Sequence, residues 1–234
     1  MSTGIQPPLK GVRVVELTHT ILGPSCGMIL ADLGAEVIKV EPVDGDRTRK
    51  LKGFGQGFFG YFNRNKKSLA LDADAPEGRK VLETLLKSAD VMIENFAPGS
   101  MSKRGLGPEH LEKINPRLVY CALKGFLPGP YSQRMAADEV AQMMGGLAFM
   151  TGLPGRPMRA GASVTDLGAA SLAAMGILAA LLQRERTLQR LLPRAIELSR
   201  LAATHGLGLT IDESVVQRYR REWRSAVPNV LSGS

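Results

Sequence analysis

A chain of 234 residues with 44% hydrophobic and 22% charged residues has the composition of an ordinary globular protein, long enough for one large domain or two small ones. Two cysteines exclude a disulfide framework or a cysteine-built metal site and suit a reducing compartment. The net charge of +8 favours anionic partners; scattered basic residues and 5% aromatics make nucleic acid a weak reading, and a phosphate-bearing small molecule fits as well. No basic flank followed by an apolar N-terminal run is present, so no signal peptide is expected.

Residues 9–17 read as a first strand, rich in β-branched residues (Val12, Val14, Val15) and opened by Gly11. The turn from Thr18 to Pro24 follows, then a helix over 25–33 ended by Gly34, then a second strand over 35–40. This strand–turn–helix–strand unit marks a parallel sheet with a crossover helix. The turn has no G-x-G-x-x-G, so the dinucleotide fingerprint fails, but free N–H groups at a helix start suit an anion. Residues 42–65 read as a surface loop, and 63–71 enter a third strand. The basic and amide side chains there, Asn65, Lys66 and Lys67, read either as a solvated edge, the commoner case, or as a phosphate clamp. An amphipathic helix over 75–89, a strand over 90–94, a helix over 108–114 and a strand over 118–123 complete a doubly wound α/β sheet. Loops at its carboxyl ends hold His19, Asn95 and Lys124, one polar or basic group each, where such folds bind ligands. His19 taken alone is more often a packing residue, and Cys26 and Cys121 read as small core residues without chemistry.

Residues 159–171 carry a single carboxylate, Asp166, ahead of the uncharged run 167–182. Leu172, Met175, Leu178, Ala179 and Leu182 recur at helical spacing, and the run is shorter than the roughly 20 residues a bilayer requires. A buried helix is the expectation. Asp166 then reads as its N-cap, the commoner role by pattern, or as a nucleophile beside small residues that admit a substrate.

Several ordered segments resemble the class III CoA-transferases of the CaiB/BaiF type, a family that includes the alpha-methylacyl-CoA racemases. They are residues 9–17, Gly23-Pro24, 31–41, 63–68, 89–99, 115–120 and the Asp166 stretch. The resemblance runs over about residues 9–187 and implies the N-terminal part of a Rossmann-like large domain. It implies that Asp166 is the nucleophile, acylated by a CoA thioester, with CoA passed to a carboxylic acid and no ATP or metal required. Coenzyme A is thus a substrate, with no permanently bound cofactor. The family's CoA contacts fall on His19, Thr20, Ile21, Leu22, Asn65, Lys66, Lys67, Asn95, Phe96, Ala97, Lys103, Arg104 and Lys124. The implied partners are acyl-CoA and carboxylic acids, with no nucleic acid or membrane, in the cytoplasm or an organelle matrix.

Departures from the family pattern refine this. Racemases place a His before the acidic residue matching Asp138, where Ala137 stands, so a transferase is favoured over a racemase. Formyl-CoA:oxalate enzymes carry a Gln at the position of Ile21, which argues against oxalate as acceptor. Residues 137–147 and 156–161 look most like the dicarboxyl-CoA branch. Family members run to about twice this length and form interlocked dimers, each chain threading a ring made by the other. Residues 188–234, with seven Arg and no Lys, match nothing in the pattern. They are expected to form a basic tail, helical at 191–203 and 214–224 and frayed after 228. The resulting expectation is a truncated product with an unrelated tail, unable to complete that dimer and with little or no transferase activity, or else a CoA-binding fragment.

Overall fold

The computed structural model describes residues 6–204, with side chains to residue 187 except at Phe54. Short β-branched runs form five parallel strands: β1 (Arg13–Leu17), β2 (Glu36–Glu41), β3 (Lys67–Ala70), β4 (Val91–Glu94) and β5 (Val119–Ala122). Their order is β3-β2-β1-β4-β5, so the chain reverses direction across the sheet between β1 and β4. That reversal leaves a crevice at the carboxyl ends of these two strands, the place where doubly wound sheets take ligands. The connecting helices are α1 (Leu22–Asp32), α2 (Phe58–Phe62), α3 (Pro76–Lys87), α4 (Ser100–Lys103) and α5 (Pro108–Ile114). After β5 come α6 (Asp138–Met144), α7 (Leu147–Thr151) and α8 (Val164–Thr204).

Side-chain alternation sorts the strands onto two faces. Val15, Leu17, Val40 and Met92 pack under Leu82 and Leu86 of α3, Leu111 of α5, and Met101 and Leu106. On the opposite face, under α1, two charged side chains are fully enclosed: Glu16 and Lys39, neighbours in the β1–β2 register. Buried charges persist only when paired and hydrogen-bonded. Lys39 Nζ lies 3.0 Å from Asp46 Oδ2 and donates to Thr18 O at 2.7 Å. Glu16 Oε2 lies 2.8 Å from Lys66 Nζ, and its Oε1 accepts from Thr18 Oγ1 at 2.6 Å.

Several expectations change. The helix expected from residue 25 begins at Leu22 and runs through Pro24, because a proline in the first turn gives up only an N–H that is free anyway. The loop expected over 42–65 contains α2 and two short 3-10 turns, Arg47–Lys50 and Gly53–Gly55. The helix expected to be buried over 167–182 is largely exposed. Ala170, Ala174 and Ile177 form its covered stripe, while Leu172 and Met175 are 67% and 55% exposed. Its stretch Val164–Thr187 is long and apolar enough to cross a membrane by length and composition, a test that core helices also pass. The expected separate helix over 191–203 is the continuation of α8, and the expectations for 214–224 and beyond 228 lie outside the described residues.

Gly27 of α1 sits against the buried network, since a Cβ there would meet Glu16 Oε2 at 1.8 Å. Gly27→Ala gains about 1 kcal/mol of helix propensity but overpacks a carboxylate locked between two ammonium groups, at about 1–3 kcal/mol. Net destabilisation is expected in urea unfolding; an unchanged or higher midpoint contradicts this reading of the network.

Candidate active site

The first part of the site is the turn after β1. Thr20 adopts a left-handed conformation (φ 68°), which strains a β-branched residue and persists only where its surroundings enforce it. Two clamps do so. Asn95, just after β4, accepts from His19 N at 3.0 Å and donates back to His19 O at 2.9 Å. From the other side, Thr48 Oγ1 accepts from Thr20 N at 3.1 Å and itself donates to Asp46 Oδ1 at 2.7 Å. Asp46 also accepts from Thr48 N at 2.8 Å, capping the short turn, and is held in place by the buried ammonium of Lys39. Burial and the Asp46 neighbourhood leave opposite marks on charge here. The His19 imidazole is pushed below its usual value by burial and by Arg47, so it is neutral at neutral pH.

The second part follows β4 and β5. Glu94, enclosed at the end of β4, accepts from Lys124 Nζ at 2.5 and 2.7 Å, from Tyr120 Oη at 3.0 Å and from Phe96 N at 2.9 Å. Lys124 also donates to Phe96 O at 2.8 Å, so its ammonium is saturated and fixes the Phe96 loop. The Phe96 ring stands 5.9 Å from the His19 ring, with the Arg104 guanidinium 5.4 Å from the Phe96 centroid. His19, Thr20, Asn95, Phe96, Arg104 and Lys124 are thus gathered at one edge, with Arg47 beside His19.

The remaining positions differ. Leu22 opens α1, Ala97 is exposed in the Phe96 loop, and Lys103 is exposed at the end of α4. Ile21 is buried in an apolar cluster with Met28 and Phe62, so its side chain faces the core and not the turn. Asn65, Lys66 and Lys67 are not brought to this edge. Asn65 and Arg64 bond Asp32 at the end of α1, and Lys67 pairs with Glu36 at the start of β2. Lys66 is enclosed, donating to Glu16, to Pro24 O at 2.8 Å and to Asn63 Oδ1 at 3.0 Å. Its charge balances the buried Glu16, so of the three it is Lys66 whose ammonium is turned inward.

The third part is the start of α8. Asp166 is not its cap: it lies inside the first turn, and the cap comes from a different element. Asp138 Oδ1, at the start of α6, accepts from Thr165 N at 2.9 Å and Asp166 N at 3.1 Å. Gln142 bonds Asp138 and accepts from Ala160 N at 2.7 Å, fixing the approach to the helix. Burial pushes Asp138 up, but these donors outweigh it and hold the carboxyl below the usual range. Asp166 receives no such donors among the described residues. Burial first, then the charges of Asp138 and Glu139, raise it to about 6. A carboxylate relieved of capping, with a raised proton affinity and small neighbours (Gly161, Ala162, Gly168), is equipped to attack a carbonyl carbon. Ala136, two residues before Asp138, packs closely on Gly125, next to Lys124: a Cβ on that glycine would lie 2.6 Å from Ala136 Cβ.

Sequence reading did not single out Glu94, Asp46, Thr48 or the capping role of Asp138. The Asp46-Arg-Thr48 pattern, an Asx-type turn signal, could have flagged the first clamp. The others join residues far apart in the chain.

The chain is 44% identical over 182 residues to a formyl-CoA:oxalate CoA-transferase from Afipia carboxidovorans, covering 75% of this chain and 43% of that one. A formyl-CoA:oxalate CoA-transferase from Streptomyces avermitilis is 42% identical over 184 residues, covering 76% and 45%. The chain therefore spans less than half the length of the curated relatives it matches. Among solved structures, a CaiB/BaiF family protein from Brucella suis superposes with a TM-score of 0.73 at 40% identity, covering 78% of this chain and 51% of that one. A hypothetical protein from Mycobacterium tuberculosis gives 0.72 at 37% identity, covering 78% and 52%. The family profile described as CoA-transferase family III matches residues 9–191, and the chain belongs to that family.

Proposed function

We propose that Asp166 moves CoA from an acyl-CoA to a carboxylic acid through covalent intermediates. One Asp166 oxygen attacks the thioester carbonyl, the C–S bond breaks, and CoA thiolate departs from an acyl–aspartyl anhydride. The thiolate then attacks the aspartyl carbonyl, the donor acid leaves as its carboxylate, and CoA is held as an aspartyl thioester. An acceptor carboxylate reverses the two steps and leaves with CoA. Each intermediate keeps the thioester's activation. The start of α1 beyond the Thr20 turn and the Phe96 loop bind the nucleotide and pantetheine portions, through the N–H groups that open the helix, the Phe96 face, Arg47 and Arg104.

The observation that carries this reading is that Asp138 caps α8, which frees the Asp166 carboxyl. The same observation weakens the racemase reading: Asp138, the residue a racemase would use as a base, is fully engaged, and Ala137 precedes it. The formyl and oxalate chemistry in the relatives' names is the first pair to test. The core-facing Ile21 offers an acceptor no hydrogen bond, so a dicarboxyl-CoA pair is the second. A second reading, CoA binding without turnover, draws on the exposed apolar surface around Phe149, Met150, Leu172 and Met175.

Two measurements discriminate. With formyl-CoA and labelled oxalate, or a dicarboxyl-CoA and its labelled acid, label enters the CoA thioester and Asp166→Asn slows this by roughly 10³-fold or more. A CoA-induced thermal shift without any exchange supports binding alone. Asp166→Asn also has a pH signature. Because folding raises this carboxyl from 3.8 to about 6, its charge opposes folding above about pH 6 and is neutral below the unfolded value. The variant should melt higher than the parent at about pH 8, with the gap closing as pH falls through 6. A pH-independent gap contradicts the assignment.

A further inference from the structure

The strained residue Thr20 stands just before the opening of α1, and its φ of 68° turns the chain from β1 into that helix. The opening has no side-chain cap, and Pro24 in the first turn has no N–H, so the amides presented there are those of Leu22 and Gly23. Their direction follows from the turn, because the helix start packs directly on Thr18, just after β1: a Cβ on Gly23 would lie 2.4 Å from Thr18 Cβ. The element facing Thr20 from the other side is tied down. Lys39 Nζ lies 3.0 Å from Asp46 Oδ2, Glu41 Oε2 accepts from Asp46 N at 2.9 Å, and Arg49 Nε and Nη2 each donate to Glu41 at 2.8 Å. These bonds fasten the turn Arg47–Lys50 to the end of β2. Thr48, buried within it, donates its hydroxyl proton to Asp46, which leaves the oxygen as acceptor for Thr20 N. Asn95 fixes the backbone of His19, one residue earlier, so the rotation at Thr20 itself answers to Thr48.

We propose that Thr48 is a positioning residue for CoA: its hydroxyl holds Thr20 left-handed before the ligand arrives, and the strain held there sets the affinity of the crevice. This rests on the reading of this edge as the CoA site and is independent of acylation at Asp166. A threonine released from that acceptor returns to the right-handed or extended backbone it prefers, by a factor of about 5–30. Only the left-handed fraction aims the Leu22 and Gly23 amides at the ligand, so apparent affinity falls by the same factor. Glycine takes positive and negative φ about equally, so a glycine at position 20 makes the Thr48 oxygen nearly dispensable.

The test is isothermal titration of the full chain with coenzyme A. Thr48→Val, similar in shape but without the oxygen, and Thr48→Ala as a second variant should each weaken CoA by about 5- to 30-fold, while Thr48→Ser stays within about 3-fold of the parent. The decisive pair is Thr20→Gly alone against Thr20→Gly combined with Thr48→Val, which should differ by less than about 3-fold. If Thr48 only supports Asp46, the loss is the same in both backgrounds, and that result overturns the proposal. So does a Thr48→Val chain that binds CoA as tightly as the parent; in either case the parent still binds, and the reading of the edge as a CoA site stands. A parent chain that does not bind CoA overturns both.

Discussion

A buried ammonium, that of Lys39, holds the crevice in shape. It joins Asp46 to the carbonyl of Thr18 beneath α1, and through Asp46 and Thr48 it fixes the N–H of Thr20 in a left-handed turn. Removing one partner of such a pair leaves an uncompensated charge worth about 3–5 kcal/mol, so the arrangement is all-or-none. The second ammonium, Lys66, pairs with Glu16 on the same face, so each of the two acidic side chains inside the fold has its own cation. The network therefore sets backbone geometry at the ligand edge from below, without placing a charge in the crevice itself.

The start of α8 shows the same logic. A helix N-terminus exposes N–H groups that need acceptors, and a carboxylate in the first turn is the usual local answer. Here the acceptor is Asp138, supplied by α6, so the local carboxylate is left without that duty. Two acids a short distance apart take different proton affinities because one receives several donors and the other receives none among the described residues. Such divergence between neighbouring carboxyls is a common way for a fold to set one acid aside for chemistry.

The strands and the long connecting helices were legible because alternating β-branched runs and an amphipathic stripe are local signals. Helices α2, α4, α6 and α7 were not, since such short helices are held by tertiary contacts, whereas the equally short α5 opens with a proline, a local start signal. The meeting of His19, Asn95 and Lys124 at one edge was legible because each follows a strand end, while Phe96 came from the family resemblance. Lys66 misled because its partner Glu16 lies fifty positions upstream, and Asp138 was missed as a cap for the same reason at a separation of twenty-seven. The exposure of Leu172 and Met175 was also hidden, because a helix apolar on every side does not reveal which side is covered.

The account stands on Asp166 becoming acylated. Its most direct measurement is peptide mass spectrometry of the chain after brief incubation with an acyl-CoA, with and without hydroxylamine. The account predicts an acyl or CoA adduct confined to the peptide containing Asp166, converted by hydroxylamine to an aspartyl hydroxamate. An unmodified Asp166 peptide in a sample that binds CoA, or an adduct on another residue, would contradict it.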